Sequence, residues 1–233
     1  MDEPLAFDKF GVLEHMENVQ HTILRARPVV VFRSEWGNAT VVSFPEAKED
    51  LLKPYGVGPV TPLGTPWQKL FITGVASDCR VVAHYARQLA LEHMFDFDGP
   101  APTMFIAEHI GRLLQDASMS PGRRPLACTV LLVDCTEKRI LRVDAGGEVT
   151  SVAGAAVGRG QAKGEDALLK GLRQRSADGA STSIDNQLEI DRALAKSVLL
   201  EMLGKGRSGE HNEEHGDEDD DVAVIVLPDR DPI

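Results

Sequence analysis

The chain has 233 residues, 42% of them hydrophobic but only 5% aromatic, and 36 acidic against 25 basic side chains give it a formal charge of -11. That length allows a core burying roughly 70% of the unfolded surface without metal or disulfide staples, and the composition makes that core aliphatic, with few aromatics left to stack single-stranded nucleic acid. An acidic chain is poorly matched to a phosphate backbone, and nothing resembles a basic leader with an apolar core or a run of about 18 apolar residues, so neither export nor a membrane span is expected.

Residues 12–25, "VLEHMENVQHTILR", place Val12, Met16, Val19 and Ile23 at helical spacing, which predicts an amphipathic helix. "PVVVF" and "ATVVSF" flank the turn "SEWGN" and read as a β-hairpin. Residues 53–66 carry Pro54, Pro59, Pro62, Pro66 and three glycines, a density that predicts a long loop, since proline breaks both helix and ladder. "WQKLFITG" follows as a strand, and "SDCRVVAHYARQLALEHMF" as a helix. Ser77 and Asp78 are its cap candidates, with Val81, Val82, Tyr85, Leu89 and Met94 as its apolar face.

"PAPTMFIAEHIGRLLQDA" predicts a second helix, with Thr103 as N-cap and Phe105, Ile106, Ile110, Leu113 and Leu114 inward, and "SMSPGRRP" ends it. "LACTVLLVDC", "RILRVD" and "EVTSVAGAAVG" read as three strands, "EDALLKGLRQR" and "LEIDRALAKSVLLEML" as two helices, and "VAVIVL" as a final strand. Runs of strands alternating with helix pairs point to an α+β class with antiparallel sheets rather than to βαβ units. There is no internal repeat.

Candidate chemistry is sparse. "GRGQAKG" at 158–164 lacks GxGxxG spacing and a Lys followed by Ser or Thr, so it reads as a strand-to-helix turn and not as a phosphate cradle. The run "EHNEEHGDEDDD" from Glu210 to Asp221 holds eight carboxylates. Despite His211 and His215 it reads as a self-repelling solvated loop. His15, His21, His84, His93 and His109 show no zinc-type spacing with cysteine. Cys79, Cys128 and Cys135 are odd in number and sit in apolar surroundings, as free thiols in a reducing compartment do. No GxSxG elbow is present. In "RILRVDAGGEV", Asp144 is expected to turn the chain between two strands, its carboxylate accepting from backbone N–H groups two residues on while Gly146 and Gly147 take positive φ.

Four separated stretches carry a family resemblance. "FDKFGVLEHMENV" is similar to FSPxGRLxQVEYA through Phe7, Gly11, Leu13 and Glu17, whereas Asp8, Lys9, His15 and Asn18 depart from it and Met16 is a mild change. "TGVASDCR" resembles SGLxADAR through Gly74, Asp78 and Arg80, and "SPGRRPLACTVLL" resembles GxRPFGVSLL through Arg124 and Pro125. "VDAGGEVTSVAGAAVGRG" resembles TDPSGxYxxWxAxAIGxG through Asp144, Gly147, Ala156 and Gly158. In this order, the motifs resemble those of a divergent 20S proteasome α-type subunit.

The resemblance implies the N-terminal nucleophile hydrolase fold, a four-layer αββα sandwich formed by a single domain over residues 1–233. Residues 1–28 would be the N-terminal segment with its extension helix, and residues 204–221 an acidic, Gly-rich loop. It implies a place in the heptameric outer α ring, with neighbouring α subunits, the β ring and activator caps as partners, in cytoplasm and nucleus, and with no nucleic acid, membrane, cofactor or metal. Catalytic β-type relatives use a threonine freed by cleavage after glycine, whose own amino group is the base. The one Gly-Thr pair here, Gly64-Thr65, precedes Pro66, and cutting there would remove the first two strands. Ser43, Phe44 and Pro45 stand near where the catalytic aspartate would fall.

The expectation is therefore a noncatalytic subunit. The alternatives are a β-type or stand-alone N-terminal nucleophile hydrolase matured by processing, and a monomeric module whose acidic loop recruits a basic partner. Typical α subunits also carry a lysine that receives the carboxylate of an activator tail. This sequence has Gly58 to Val60 there, with Lys53 and Lys69 out of register, and the Tyr-Asp-Arg gate triplet is not visible, so weak tail binding and loose gating are implied.

Overall fold

The computed structural model describes residues 7, 9–11, 13–34, 39–45, 60–120, 122–177, 184–204 and 222–228. The chain forms two compact units. One comprises Met1–Ala26, Gly56–Val152 and Asp231–Ile233, and the other Arg27–Tyr55 and Ala153–Arg230. Each is an antiparallel sheet packed with helices, which is the α+β class expected from the element order.

In the first unit the sheet order is β3-β4-β5-β6-β7, formed by Val60–Leu63, Thr65–Gly74, Cys128–Asp134, Arg139–Val143 and Val149–Val152. Its helices are α1 (Glu14–Ile23), α2 (Ala76–Phe97) and α3 (Thr103–Met119). The period-2 alternation of the strands places Leu70, Val130, Leu132, Leu141 and Val143 in one cluster with Val82, Ala83, Ala86 and Ala90 of α2 and Ile106, Ile110 and Leu114 of α3. The small residues of α2 let its backbone approach the sheet, and the larger aliphatics of α3 fill the remainder, which accounts for an aliphatic core with few aromatics.

The second unit has sheet order β8-β1-β2-β9, from Gly154–Val157, Val29–Arg33, Ala39–Pro45 and Val222–Pro228. Helices α4 (Gln161–Ala177) and α5 (Ile184–Met202) cover it. Val30, Phe32 and Ala156 pack with Leu168, Ala195, Val198, Leu199 and Met202. The hairpin expected from "PVVVF" and "ATVVSF" is present, with Val31 opposite Val42. Turn residues 35–38 lie outside the described residues, as do Val12, Lys53, Pro54, Gly58, Pro59 and the acidic run 210–221.

Several sequence expectations need correction. Part of the proline-rich stretch is not loop. Val60–Leu63 pair with β4 as an edge strand, with a register shift between Pro62 and Leu63. An edge strand tolerates proline because its missing N–H need not feed a further ladder, and Gly64 closes the turn into β4 at φ +56°. Ser77 and Asp78 are not caps. Val75 holds the N-cap position of α2 with no side-chain cap.

Thr103 is likewise the first residue of α3, after Pro102 as N-cap. On α2, Val82, Tyr85 and Leu89 face the core cluster, but Val81 is exposed, and the buried face is instead set by alanines. "EVTSVAGAAVG" is two strands in two different sheets, β7 and β8, separated by Ala153.

Candidate functional site

Helix α1 is amphipathic, and its apolar side seats on the first unit's sheet end. Val19 and Ile23 are buried with Ala127 and Ala145, and Met16 and Val75 pack around them. His15 Nε2 donates to the Ser118 carbonyl at 3.2 Å, tying the helix to the end of α3. The start of α1 rests on Leu13, whose carbonyl accepts from the N–H groups of Met16 at 3.0 Å and Glu17 at 3.1 Å. Glu14 and Glu17 occupy the first turn, where the helix dipole favours negative charge. Glu17 itself is exposed and faces His21 one turn on at 3.7 Å.

Of the other N-terminal motif residues, Phe7 is exposed. Gly11 has φ +77° with nothing near its Cα side.

The floor of this seat is built by residues from two other motifs. The carboxylate of Asp78, on the first turn of α2, is buried and accepts two hydrogen bonds from the Arg124 guanidinium, from Nη2 at 2.6 Å and from Nη1 at 2.7 Å. It also accepts the Ala127 N–H at 2.8 Å and the Ser77 hydroxyl at 3.2 Å. The Val75 N–H donates back to the Ala127 carbonyl at 2.9 Å. Gly74 completes the knot, since a Cβ there would lie 2.1 Å from the Ala127 carbonyl oxygen, a contact no side chain can make.

Arg124 also donates to the carbonyl of Pro125 at 3.2 Å. Its hydrogen bonds hold the Asp78 carboxyl below its ordinary value, outweighing the opposing push of burial. Gly74, Asp78, Arg124 and Pro125 thus meet at one place, whereas Arg80 from the same motif is exposed.

The wall of the seat is the turn after β6. The Gly147 N–H donates to the Asp144 carbonyl at 2.8 Å, and the Asp144 N–H to the Glu148 carbonyl at 3.0 Å. The expected role of the Asp144 side chain is therefore corrected. Its backbone carbonyl, not its carboxylate, takes the turn hydrogen bond, because the carboxylate is drawn to Arg142 Nε at 2.8 Å. Only Gly147 of the glycine pair has positive φ, +88°. A Cβ on it would meet the Gly111 carbonyl oxygen at 2.5 Å, so the turn is pressed against α3. Ala145, between them, is the residue that meets α1.

Gly158 stands apart from this group in the second unit, at φ +93° against the Arg27 carbonyl.

A second polar cluster gave no motif in the sequence. Asp134 at the end of β5 is buried and accepts from the Thr103 hydroxyl and from Gln68 Nε2 at 3.2 Å. Its other oxygen accepts the N–H groups of Thr136 at 2.8 Å and Glu137 at 3.0 Å. Gln68 Nε2 also donates to Thr103 Oγ1 at 3.0 Å and to the Ala101 carbonyl at 2.8 Å. Every group in it is engaged with chain, so it fixes the start of α3 against the β5–β6 turn. The visible signal for it was an aspartate placed just before a tight turn.

Among the described residues, groups suited to nucleophilic or metal chemistry do not converge. Burial, and then the charge of Asp78, pushes the Cys79 thiol up to about 11, and burial pushes Cys128 up further, so both stay protonated and unreactive at neutral pH. Cys79, Cys128 and Cys135 are not joined in a disulfide. Thr65 opens β4 directly after the Gly64 turn, and Ser43 to Pro45 lie within β2 opposite Val224 to Val222. Among the described residues no group of three or more His, Cys, Asp or Glu is placed to hold a metal ion, and no helix is long and apolar enough to cross a membrane.

The proteasome subunit family matches residues 70–178, a span containing the Asp78 knot and the Asp144 turn. A proteasome subunit alpha of Pyrobaculum aerophilum is 30% identical over 88 residues, 37% of this chain and 36% of the relative. Proteasome subunit alpha type-2 of Trypanosoma brucei brucei is 24% identical over 147 residues, 62% of this chain and 58% of the relative. A proteasome subunit alpha of Aeropyrum pernix is 25% identical over 161 residues, 67% and 54%. The chain thus spans between about a third and three fifths of the length of these relatives.

Proposed function

We propose, taking residues 70–178 as a domain of the proteasome subunit family, that the chain is a noncatalytic structural subunit of an α-type outer ring. Its work is ring assembly, docking on a β ring and control of substrate entrance, in cytoplasm and nucleus. The observation that carries the reading is what the motif residues build. Gly74, Asp78, Arg124 and Gly147 make the seat of α1, and none of them is part of a nucleophile or its base.

Two features support the absence of catalysis. Thr65 follows a hairpin turn, so cleavage at Gly64 would split β3 from β4. The first strand β1 follows Pro28 and the whole of α1, rather than opening on a threonine. By the resemblance the tail-receiving lysine position falls at Gly58 to Val60, where this sequence has no lysine, so activator tails bind weakly beside this subunit.

N-terminal sequencing of the mature chain together with its native mass tests the proposal. An uncut N-terminal segment in a very large particle is expected. A new Thr, Ser or Cys terminus overturns it in favour of a processed hydrolase, and a small native mass overturns the ring assignment.

A further inference from the structure

The stretch "SPGR" that follows α3, Ser120 to Arg123, sets a proline directly after a serine and an arginine three residues after it. A protein kinase whose cleft offers no acceptor to the residue after the serine selects proline there, because proline has no N–H to leave unsatisfied. An anionic patch further along such a cleft pairs with a basic residue. Three Ser-Pro or Thr-Pro pairs occur in the chain, at Thr61, Thr65 and Ser120, and only Ser120 has a basic residue at the third place. Both threonines also belong to the paired β3 and β4 strands, and Thr61 is buried.

The local geometry presents the serine. Ser120 stands just past the last turn of α3, partly exposed, with an extended backbone of φ −84° and ψ 124°, as a kinase cleft holds its substrate. Its carbonyl accepts the Arg123 N–H at 3.2 Å, and Gly122 has φ +76°, so the chain reverses and brings Arg123 back beside it. Arg123 is exposed, and so is most of the side chain of Arg124.

We infer that Ser120 is a phosphorylation site for a proline-directed protein kinase, and that its phosphate loosens the seat of α1 by drawing Arg124 away from Asp78. In the transfer, Ser120 Oγ bonds to the γ-phosphorus of ATP and the bond from that phosphorus to the β,γ-bridging oxygen breaks. ADP leaves, and the hydroxyl proton passes to the kinase's catalytic carboxylate.

The phosphate adds about two negative charges at neutral pH. It lies at the carbonyl end of α3, one turn from the exposed Asp116, and both repel it. Its attractive partners are therefore Arg123 and Arg124, whose guanidinium groups match phosphate oxygens. Arg124 drawn to the phosphate leaves the buried Asp78 carboxylate without its counter-charge, holding only the Ala127 N–H and the Ser77 hydroxyl. Ala127 packs under Val19 and Ile23 of α1, and the Ser118 carbonyl, two residues before the modified serine, holds His15 of the same helix. Ser120 thus stands beside one attachment of α1 and acts on the floor beneath the other. This goes beyond the ring assignment and does not rest on it, since N-terminal sequence and native mass report on that reading separately.

Treating the full chain with a cyclin-dependent protein kinase and ATP, followed by fragment mass spectrometry and amide exchange, tests it. One phosphoryl group on Ser120 is expected, absent from Ser120→Ala and added about tenfold more slowly to Arg123→Ala. Exchange in α1 of the phosphorylated chain should be about tenfold faster, with β5 unchanged, and phosphatase treatment should reverse it. In Arg124→Ala, α1 should exchange fast from the outset, and phosphorylation should add less than about twofold. A folded chain that the kinase does not modify at Ser120 overturns the proposal. So does a phosphorylated chain with unchanged exchange in α1, or an equally large rise on phosphorylation of Arg124→Ala.

Discussion

Arg124→Ala isolates what the Asp78 knot contributes. In the wild type the guanidinium donates to both carboxylate oxygens, at 2.6 and 2.7 Å. The two ends of that pair differ, for the Asp78 side chain is 2% exposed and that of Arg124 63%. Breaking a pair buried at both ends costs about 3–5 kcal/mol, whereas surface pairs are worth about 0–1 kcal/mol. Asp78 keeps the Ala127 N–H and the Ser77 hydroxyl after the substitution, so about 2 kcal/mol is expected, in line with loss of charged hydrogen bonds. For a chain of this size that lowers the thermal midpoint by about 4–8 °C.

The effect carries a pH signature. The folded-state carboxyl of Asp78 is depressed, first by its hydrogen bonds to Arg124. Its contribution to stability is therefore fully present above the unfolded-state value of about 3.9 and is lost as pH falls through the folded-state value. Urea titrations of wild type and variant between pH 7 and pH 3 should show a constant gap down to about pH 5 that narrows below about pH 4. A gap under about 0.5 kcal/mol at pH 7, or one undiminished at pH 3, refutes the reasoning.

The glycine pair after Asp144 gives a contrast within two residues. Gly147→Ala combines a left-handed backbone with a 2.5 Å approach to the Gly111 carbonyl and should cost about 2–4 kcal/mol in a denaturation curve. Gly146→Ala, whose Cβ would meet only the Met16 methyl at 3.9 Å, should stay within about 0.5 kcal/mol, and equal effects from the two would contradict the turn geometry. For α1, Ile23→Ala removes a buried anchor worth about 2–4 kcal/mol from a helix of 10 residues, too short to persist alone. Amide exchange in α1 should rise about 30-fold or more while β5 stays protected, and an equal rise in β5 would show that the loss is not confined to the seat.

Long apolar periods were legible in the sequence because burial itself writes them. The inward residues of α3, the continuous run of β5 and the β1–β2 pair all follow from spacing. Local polar signals misled wherever a distant partner competes for the side chain. Asp78 resembles a cap, but its partner Arg124 lies 46 residues away, and Thr103 resembles a cap, but its hydroxyl goes to Asp134, 31 residues on. The Asp144 carboxylate was expected to close the turn, yet Arg142, two residues back, outcompetes the backbone N–H groups for it. "EVTSVAGAAVG" hid a change of sheet because Ala153 interrupts neither apolarity nor β-propensity.

The motif resemblance singled out Gly74, Asp78, Arg124 and Pro125 but in two separate stretches, and that they meet at one place is seen only in the fold. The resemblance carried no trace of the Gln68, Thr103 and Asp134 cluster, whose members come from three separate stretches.

The single residue between β7 and β8 also sets an order of events on the ribosome. The five strands of the first unit's sheet are complete once residue 152 has been made, so that sheet can close with its contacts local in the chain. The β1–β2 hairpin is synthesised earlier, but its two outer neighbours are β8, at residues 154–157, and β9, at residues 222–228. Until the last of these leaves the ribosome, both edges of an apolar hairpin cannot be paired. The part of the chain made early is therefore the last to be completed, and it is the interval in which misassembly with another nascent chain is most expected.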